Sequence, residues 1–194
     1  MERRADLATD SGMHLLWGRE HFPGVVDYDT WEPELLEDED IERHIAAGHV
    51  VPISIQADGV YAFTLRLDGD ARLTPDEQKR VRRASPPYRF VSLGHVDLSG
   101  IEAVEASVAT DGSVVSAALA PGEYSVKVFL MDYDKVRNRT DKHPDFIVLV
   151  QPSTPGTSYR LSVETFDDED EAEESGGRGG RSLWGRWRTG ARDR

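Results

Sequence analysis

The sequence predicts a mainly β fold, an antiparallel β-sandwich or open barrel with one or two short helices. Three observations carry that expectation. Apolar runs of strand length recur at regular spacing from residue 49 to residue 166. In several of them apolar and polar residues alternate, as in Tyr61, Phe63, Leu65 and Leu67 against Ala62, Thr64 and Arg66. Turn pairs such as Asp58-Gly59, Asp111-Gly112 and Pro121-Gly122 fall between the runs. Short strands at even spacing with few helices belong to packed antiparallel sheets.

Taken in order, residues 1–12 are polar and are expected to be a flexible N-terminus. Met13-His14-Leu15-Leu16-Trp17 reads as a first strand that stops at Gly18. Residues 19–37 hold two prolines and many acids, which predicts an ordered loop across the domain with Tyr28 and Trp31 as buried anchors. Asp38–Ala47 suits a short helix, with acids in its first turn and Gly48 as its stop. His49–Ile55 and Val60–Leu67 flank Ala57-Asp58-Gly59, a hairpin signal. Thr74-Pro75-Asp76-Glu77 opens a helical turn: Thr74 caps, Pro75 takes the first helical position and Glu77 completes a capping box. Strands are then expected at Tyr88–Leu93, Ile101–Val108, Ser113–Leu119, Glu123–Met131, Asp145–Gln151 and Ser158–Phe166.

Composition breaks at Phe166. Asp167–Glu174 holds seven acids in eight residues, and Ser175–Arg194 is rich in Gly and Arg with Leu183, Trp184 and Trp187. Neither stretch can bury enough apolar surface to fold alone, so residues 13–166 are expected to form a single β-rich domain and 167–194 a disordered tail. The N-terminus lacks the apolar core of a secretory signal, and no apolar run reaches membrane-spanning length, so the expected location is the cytoplasm.

Charge narrows the function classes. The chain carries 36 acids against 23 bases, a net charge of −13. Such a balance repels phosphate and argues against nucleic-acid binding through the main surface. The arginine-rich tail, with its stacking aromatics, is the one stretch suited to a single strand or an anionic surface. With no cysteine, thiolate chemistry and disulfides are excluded. The six histidines form no metal motif; His44 and His49 straddle a helix stop, and Asp132-Tyr133-Asp134 starts like a calcium loop but lacks its later ligands. No GxSxG and no phosphate-cradling glycine loop occurs before the tail. Neither a cofactor nor a catalytic residue is therefore expected.

The acids themselves are the signal. Glu32, Glu34, Glu37, Asp38, Glu39, Asp40 and Glu42 lie within eleven residues, interleaved with Trp31, Leu35, Leu36 and Ile41. An apolar anchor ringed by carboxylates can dock on a basic protein, with charge steering the encounter. The expected face comprises Trp31, Glu34, Glu37, Asp38 and Asp40, aided by Asp132 and Asp134. Two other readings stand beside it. One is a β-sandwich binder of a small ligand or carbohydrate, with Trp17, Tyr61, Tyr88 and Tyr133 along a groove. The other is an enzyme using a carboxylate pair with opposed pKa shifts.

The middle of the chain also carries a family likeness. It rests on Asp58-Gly59 leading into Tyr61-Ala62-Phe63-Thr64-Leu65, the Tyr88–Val91 run, Gly100-Ile101-Glu102, and Leu119-Ala120-Pro121-Gly122-Glu123-Tyr124-Ser125-Val126 followed by Asp145-Phe146-Ile147-Val148. Over residues 48–150 the chain resembles competence-J-type nuclease inhibitors and, more loosely, bacterial immunity proteins of similar β build. The resemblance implies a small non-catalytic β-sandwich that binds a partner protein such as a nuclease. The acidic N-terminal region, the helical turn at 74–84 and the C-terminal tail depart from that pattern, so no inhibitory residue is carried over by position.

Overall fold

The polar N-terminus is not loose. In the structure, a computed structural model describing residues 1–67, 71–105, 112–133 and 143–166, Glu2–Thr9 forms strand β1. Leu7 and Thr9 are buried beneath it, while Glu2, Arg4 and Asp6 face solvent. A charged outer row is typical of a sheet edge, where it discourages further pairing. That row makes the segment look like coil in sequence.

The remaining elements are β2 (Met13–Trp17), α1 (Tyr28–Leu35), α2 (Asp38–Ala47), β3 (Val50–Ser54), β4 (Gly59–Leu67), α3 (Pro75–Gln78), β5 (Val81–Ala84), β6 (Tyr88–Ser92), β7 (His95–Gly100), β8 (Val114–Ala118), β9 (Gly122–Met131) and β10 (Phe146–Pro152). They build a mainly β fold of two sheets, neither closed into a barrel. The first runs β1-β4-β10-β9, with β5 and β6 pairing different lengths of β9; the second runs β3-β2-β7-β8. Every pair is antiparallel except β4 with β10. Expectations for Asp111, Asp134, residues 106–108 and the tail lie outside the described residues.

The chain changes sheet at β1–β2, β3–β4, β6–β7 and β8–β9. Asp58-Gly59 therefore turns a corner between sheets and closes no hairpin. The corner is held by Gly12, whose carbonyl accepts from Ile55 N–H (2.8 Å) and Gln56 N–H (3.0 Å). Gly12 has φ +71°, and a Cβ there would meet Ala57 N at 2.6 Å, so the close approach of the two corners requires glycine.

One main core lies between the sheets. His14 of β2 packs on Phe63 of β4 at 4.8 Å, and Phe63 stacks on Phe146 of β10 at 5.3 Å. Phe146, Val148 and Val150 point into this core. Alternation turns Ile147 and Leu149 to a second, smaller core with Ala71, Leu73, Met131 and Tyr133. The Thr74–Glu77 capping box is present, but α3 is one turn long and strand β5 follows it directly.

Two expected strands are absent among the described residues. Ile101–Ala103 is a 3-10 turn, because β7 has already used the residues before it. Residues 158–166 make only one bridge, Ser54 with Thr165. Their carbonyls serve side chains instead: Tyr88 Oη–H donates to Ser162 O, and Arg160 donates to Ser162 O and Val163 O.

Candidate partner-binding site

Residues 19–37 are more regular than a loop. Asp27 caps α1: its Oδ1 accepts from Thr30 N–H at 3.0 Å, and Thr30 Oγ1 accepts from Asp27 N–H at 3.0 Å. The Thr30 hydroxyl, which also donates to Asp27 Oδ1 at 2.7 Å, and then the Thr30 N–H hold the Asp27 carboxyl below the usual carboxylate range. Pro33 sits inside the helix and gives up one backbone bond, which is why the segment reads as a loop. α2 packs on β3 and on β6, one strand of each sheet, and α1 packs on α2. Trp31, Leu35, Ile41 and Ile45 point inward.

The exposed side of this layer is acidic. Residues 27–42 contain nine acids and no base. Asp27, Asp29, Glu32, Glu37, Glu39 and Glu42 are exposed, whereas Glu34, Asp38 and Asp40 are half-buried. Arg43 bonds Glu34 (3.1 Å) and Asp40 (3.1 Å) from the next turn. Burial, with Glu37 beside it, raises the Asp38 carboxyl above its ordinary pKa.

The expected face is thus partly regrouped. Glu34, Glu37, Asp38 and Asp40 share the helical layer. Trp31 is only 7% exposed and its indole N–H donates to Ile101 O at 2.9 Å, so it is a core anchor first. Tyr28, expected to be buried, is 63% exposed and stacks on Trp31 at 5.8 Å. Asp132 lies at the opposite end of β9 from the β6 segment on which α2 packs, and its N–H donates to Arg80 O. It does not join the helical acids, and Asp134 lies outside the described residues.

A cleft of about 250 Å³ opens beside α1. Tyr28, Trp31, Leu36 and Ile101 give it an apolar lining, and Asp27, Glu102 and Glu105 bring carboxylates to it. Glu102 is oriented by Asp10 N–H at 2.9 Å and by the hydroxyls of Thr9 and Ser11. The aromatic groove of a carbohydrate binder is not formed: Trp17, Tyr88 and Tyr133 are buried, and Tyr61 is half-buried. Of the two shifted carboxylates in the helical layer, the lowered Asp27 lines the cleft and the raised Asp38 does not, so they do not converge as an acid–base pair would.

Under the helical layer the structure joins histidines that sequence spacing had kept apart. Gly48, at φ +79°, closes α2 in a Schellman motif: Gly48 N–H bonds Ile45 O and His49 N–H bonds His44 O. That motif brings the residue after the glycine onto the last turn, and a histidine at each of those two positions was the overlooked signal. Glu34 Oε2 accepts from His44 Nε2–H at 3.0 Å. Neutral His44 then has Nδ1 as an acceptor, so His49 Nδ1–H donates to it across 3.1 Å. His21 stacks on His49 at 4.1 Å, and its Nε2–H donates to Val91 O. Burial first, then His21 and His44, lower the His49 pKa to about 4. Among the described residues no group of three or more His, Asp or Glu is placed to hold a metal ion.

His14 gives these shifts a measurable consequence. It is fully buried, donates from Nε2 to Leu7 O at 3.2 Å and leaves Nδ1 without a bond. Burial lowers its pKa to about 4. Between pH 6.5 and 4 the unfolded chain therefore holds a proton that the folded chain lacks, and stability falls as the pH falls through that window. The loss from His14 alone approaches roughly 3 kcal/mol at its acid end. Urea midpoints at pH 7 and pH 4.5 are expected to show this fall, and His14→Leu is expected to shrink it; an unchanged difference in the variant would assign the acid sensitivity to other groups.

No family model matches the chain, and no curated protein matches it. Two solved structures resemble it. One is ComJ, inhibitor of the DNA degrading activity of NucA, from Bacillus subtilis: identity is 15%, coverage 78% of this chain and 96% of that one, and the TM-score 0.49. The other is crocagin biosynthetic gene J, at 16% identity, 79% and 99% coverage and a TM-score of 0.49. The likeness to competence-J-type proteins is thus present as a weak structural resemblance.

Proposed function

We propose that the chain is a non-catalytic protein-binding module that docks the α1–α2 layer on a basic protein partner, in the manner of an inhibitor or immunity protein. The observation that supports this is the layer itself: nine acids and no base over residues 27–42, six of them exposed, beside an apolar cleft. Carboxylates of one sign on a fixed scaffold raise the encounter rate with a cationic surface by about 10 to 1,000-fold at low salt. Their role is steering and register, while the apolar residues beside them exclude water from the contact. A nuclease, whose site is built to attract phosphate, is a partner of the right charge.

Glu37→Lys with Glu42→Lys tests this. Both side chains are exposed, and Glu37 caps α2 through its backbone alone, so the fold should persist. The natural chain should retain one stoichiometric basic protein from its own lysate at low salt and release it at high salt. The double variant should bind that protein with an association rate lowered about tenfold or more, by the same steering argument. An unchanged association rate would remove the helical layer as the docking face.

A further inference from the structure

We propose that the cleft beside α1 is a binding site for an arginine- and tryptophan-bearing segment, and that its occupant in the full chain is the chain's own stretch 178–188, RGGRSLWGRWR. This contact is intramolecular and stands whether or not the α1–α2 acids dock a partner.

The chemistry of the cleft selects such a segment. Tyr28 offers an exposed ring face, with Trp31 stacked behind it. Asp27, Glu102 and Glu105 line the same cleft, and among the described residues no lysine or arginine does. A guanidinium is the side chain that both stacks on an aromatic face and donates in a planar fork to a carboxylate. The volume, about 250 Å³, falls below the roughly 300–1,000 Å³ of a site for a drug-sized molecule. It fits one or two inserted side chains better than a cofactor.

Charge and chain length both favour the tail as occupant. Residues 175–194 carry six arginines and one acid, against 28 acids and 17 bases in residues 1–166. The described chain ends at Phe166, whose N–H donates to Ser54 O at 2.7 Å. Ser54 pairs with Met13, and Ser11, two residues earlier, lines the cleft. From paired-strand spacings the cleft edge lies on the order of 15 Å from Phe166. Trp184 lies eighteen positions beyond Phe166, and a chain of that length has a mean span of about 23 Å. Tethering at that distance corresponds to an effective concentration in about the millimolar range, so a weak contact suffices. The block Asp167–Glu174 competes for the arginines, yet its one apolar residue, Ala172, offers nothing for Leu183, Trp184 and Trp187 to bury against. The cleft does.

The absence of native cysteine makes the test direct. Ser182→Cys in the full chain is labelled with a nitroxide, and amide signals are compared with the label oxidised and reduced. The expected result is strong broadening at Ser11, Tyr28 and Glu102 at about 50 mM salt, relieved near 1 M, where the screening length falls to about 3 Å. Trp184→Ala with Trp187→Ala, in the same labelled chain, should restore those signals, as should Tyr28→Ala on the cleft side. Broadening confined to residues 167–174, or spread over α2 without selecting the cleft, would overturn the proposal. Broadening that appears only on mixing labelled and isotope-enriched copies would move the occupant to a second chain and overturn it equally. Partner association is read separately, from the charge-reversed α2 variant, so either idea can fail without the other.

Discussion

Arg19→Ala is expected to destabilise the protein by about 3–5 kcal/mol, the cost of stranding a buried charge. Arg19 reaches across the second sheet to Asp97 with two bonds, Nε to Oδ2 at 2.9 Å and Nη2 to Oδ1 at 2.6 Å. Asp97 is fully buried and Arg19 is 28% exposed. Ser116 Oγ–H also donates to Asp97, but a hydroxyl cannot neutralise the carboxylate. Arg19→Met combined with Asp97→Leu should recover most of the loss, because replacing both partners removes the uncompensated charge. Chemical unfolding of the three variants checks this. Equal stability of Arg19→Ala and the natural chain would mean that water reaches Asp97.

Trp31→Ala is expected to cost a similar amount, about 3–5 kcal/mol, through lost burial and the cavity left behind. Trp31→Phe keeps most of the apolar contact and leaves Ile101 O without its donor, an expected cost of about 1–3 kcal/mol. The pair separates two roles. If Trp31 anchors the helical layer, both variants lose stability in that order and α1 amides exchange faster. If its main role were contact with a partner, Trp31→Phe would unfold like the natural chain while binding fell. Circular dichroism melts with hydrogen exchange distinguish the two.

Local chemistry was legible and partnering was not. Met13–Trp17 and Asp38–Ala47 form with the bounds their sequences predict, and the Thr74 capping box is in place. Each depends on neighbours within a turn. Asp58-Gly59 shows the limit: its residues specify a bend, but whether the next strand joins the same sheet depends on Gly12, more than forty positions away. Residues 28–35 were hidden by Pro33, and Glu2–Thr9 by the charges of an edge strand. The acids of the site were visible as composition. Their division into exposed groups and groups engaged by Arg43 and His44 was not, since it follows from how α1 crosses α2.

The parallel pair of β4 and β10 sets the order in which the molecule can be completed. Phe63 and Phe146 lie side by side in the register yet 83 positions apart in the chain, and β10 is the strand that separates β4 from β9. During synthesis β1 can zip onto β4, but the opposite edge of β4 stays open until residue 152 has left the ribosome. Contacts of such separation close slowly, because loop entropy is lost before any pairing compensates it. The half-made sheet is then the species most prone to aggregate. Truncation within β10 should yield insoluble protein, whereas ending the chain beyond Phe166 leaves every strand its neighbours.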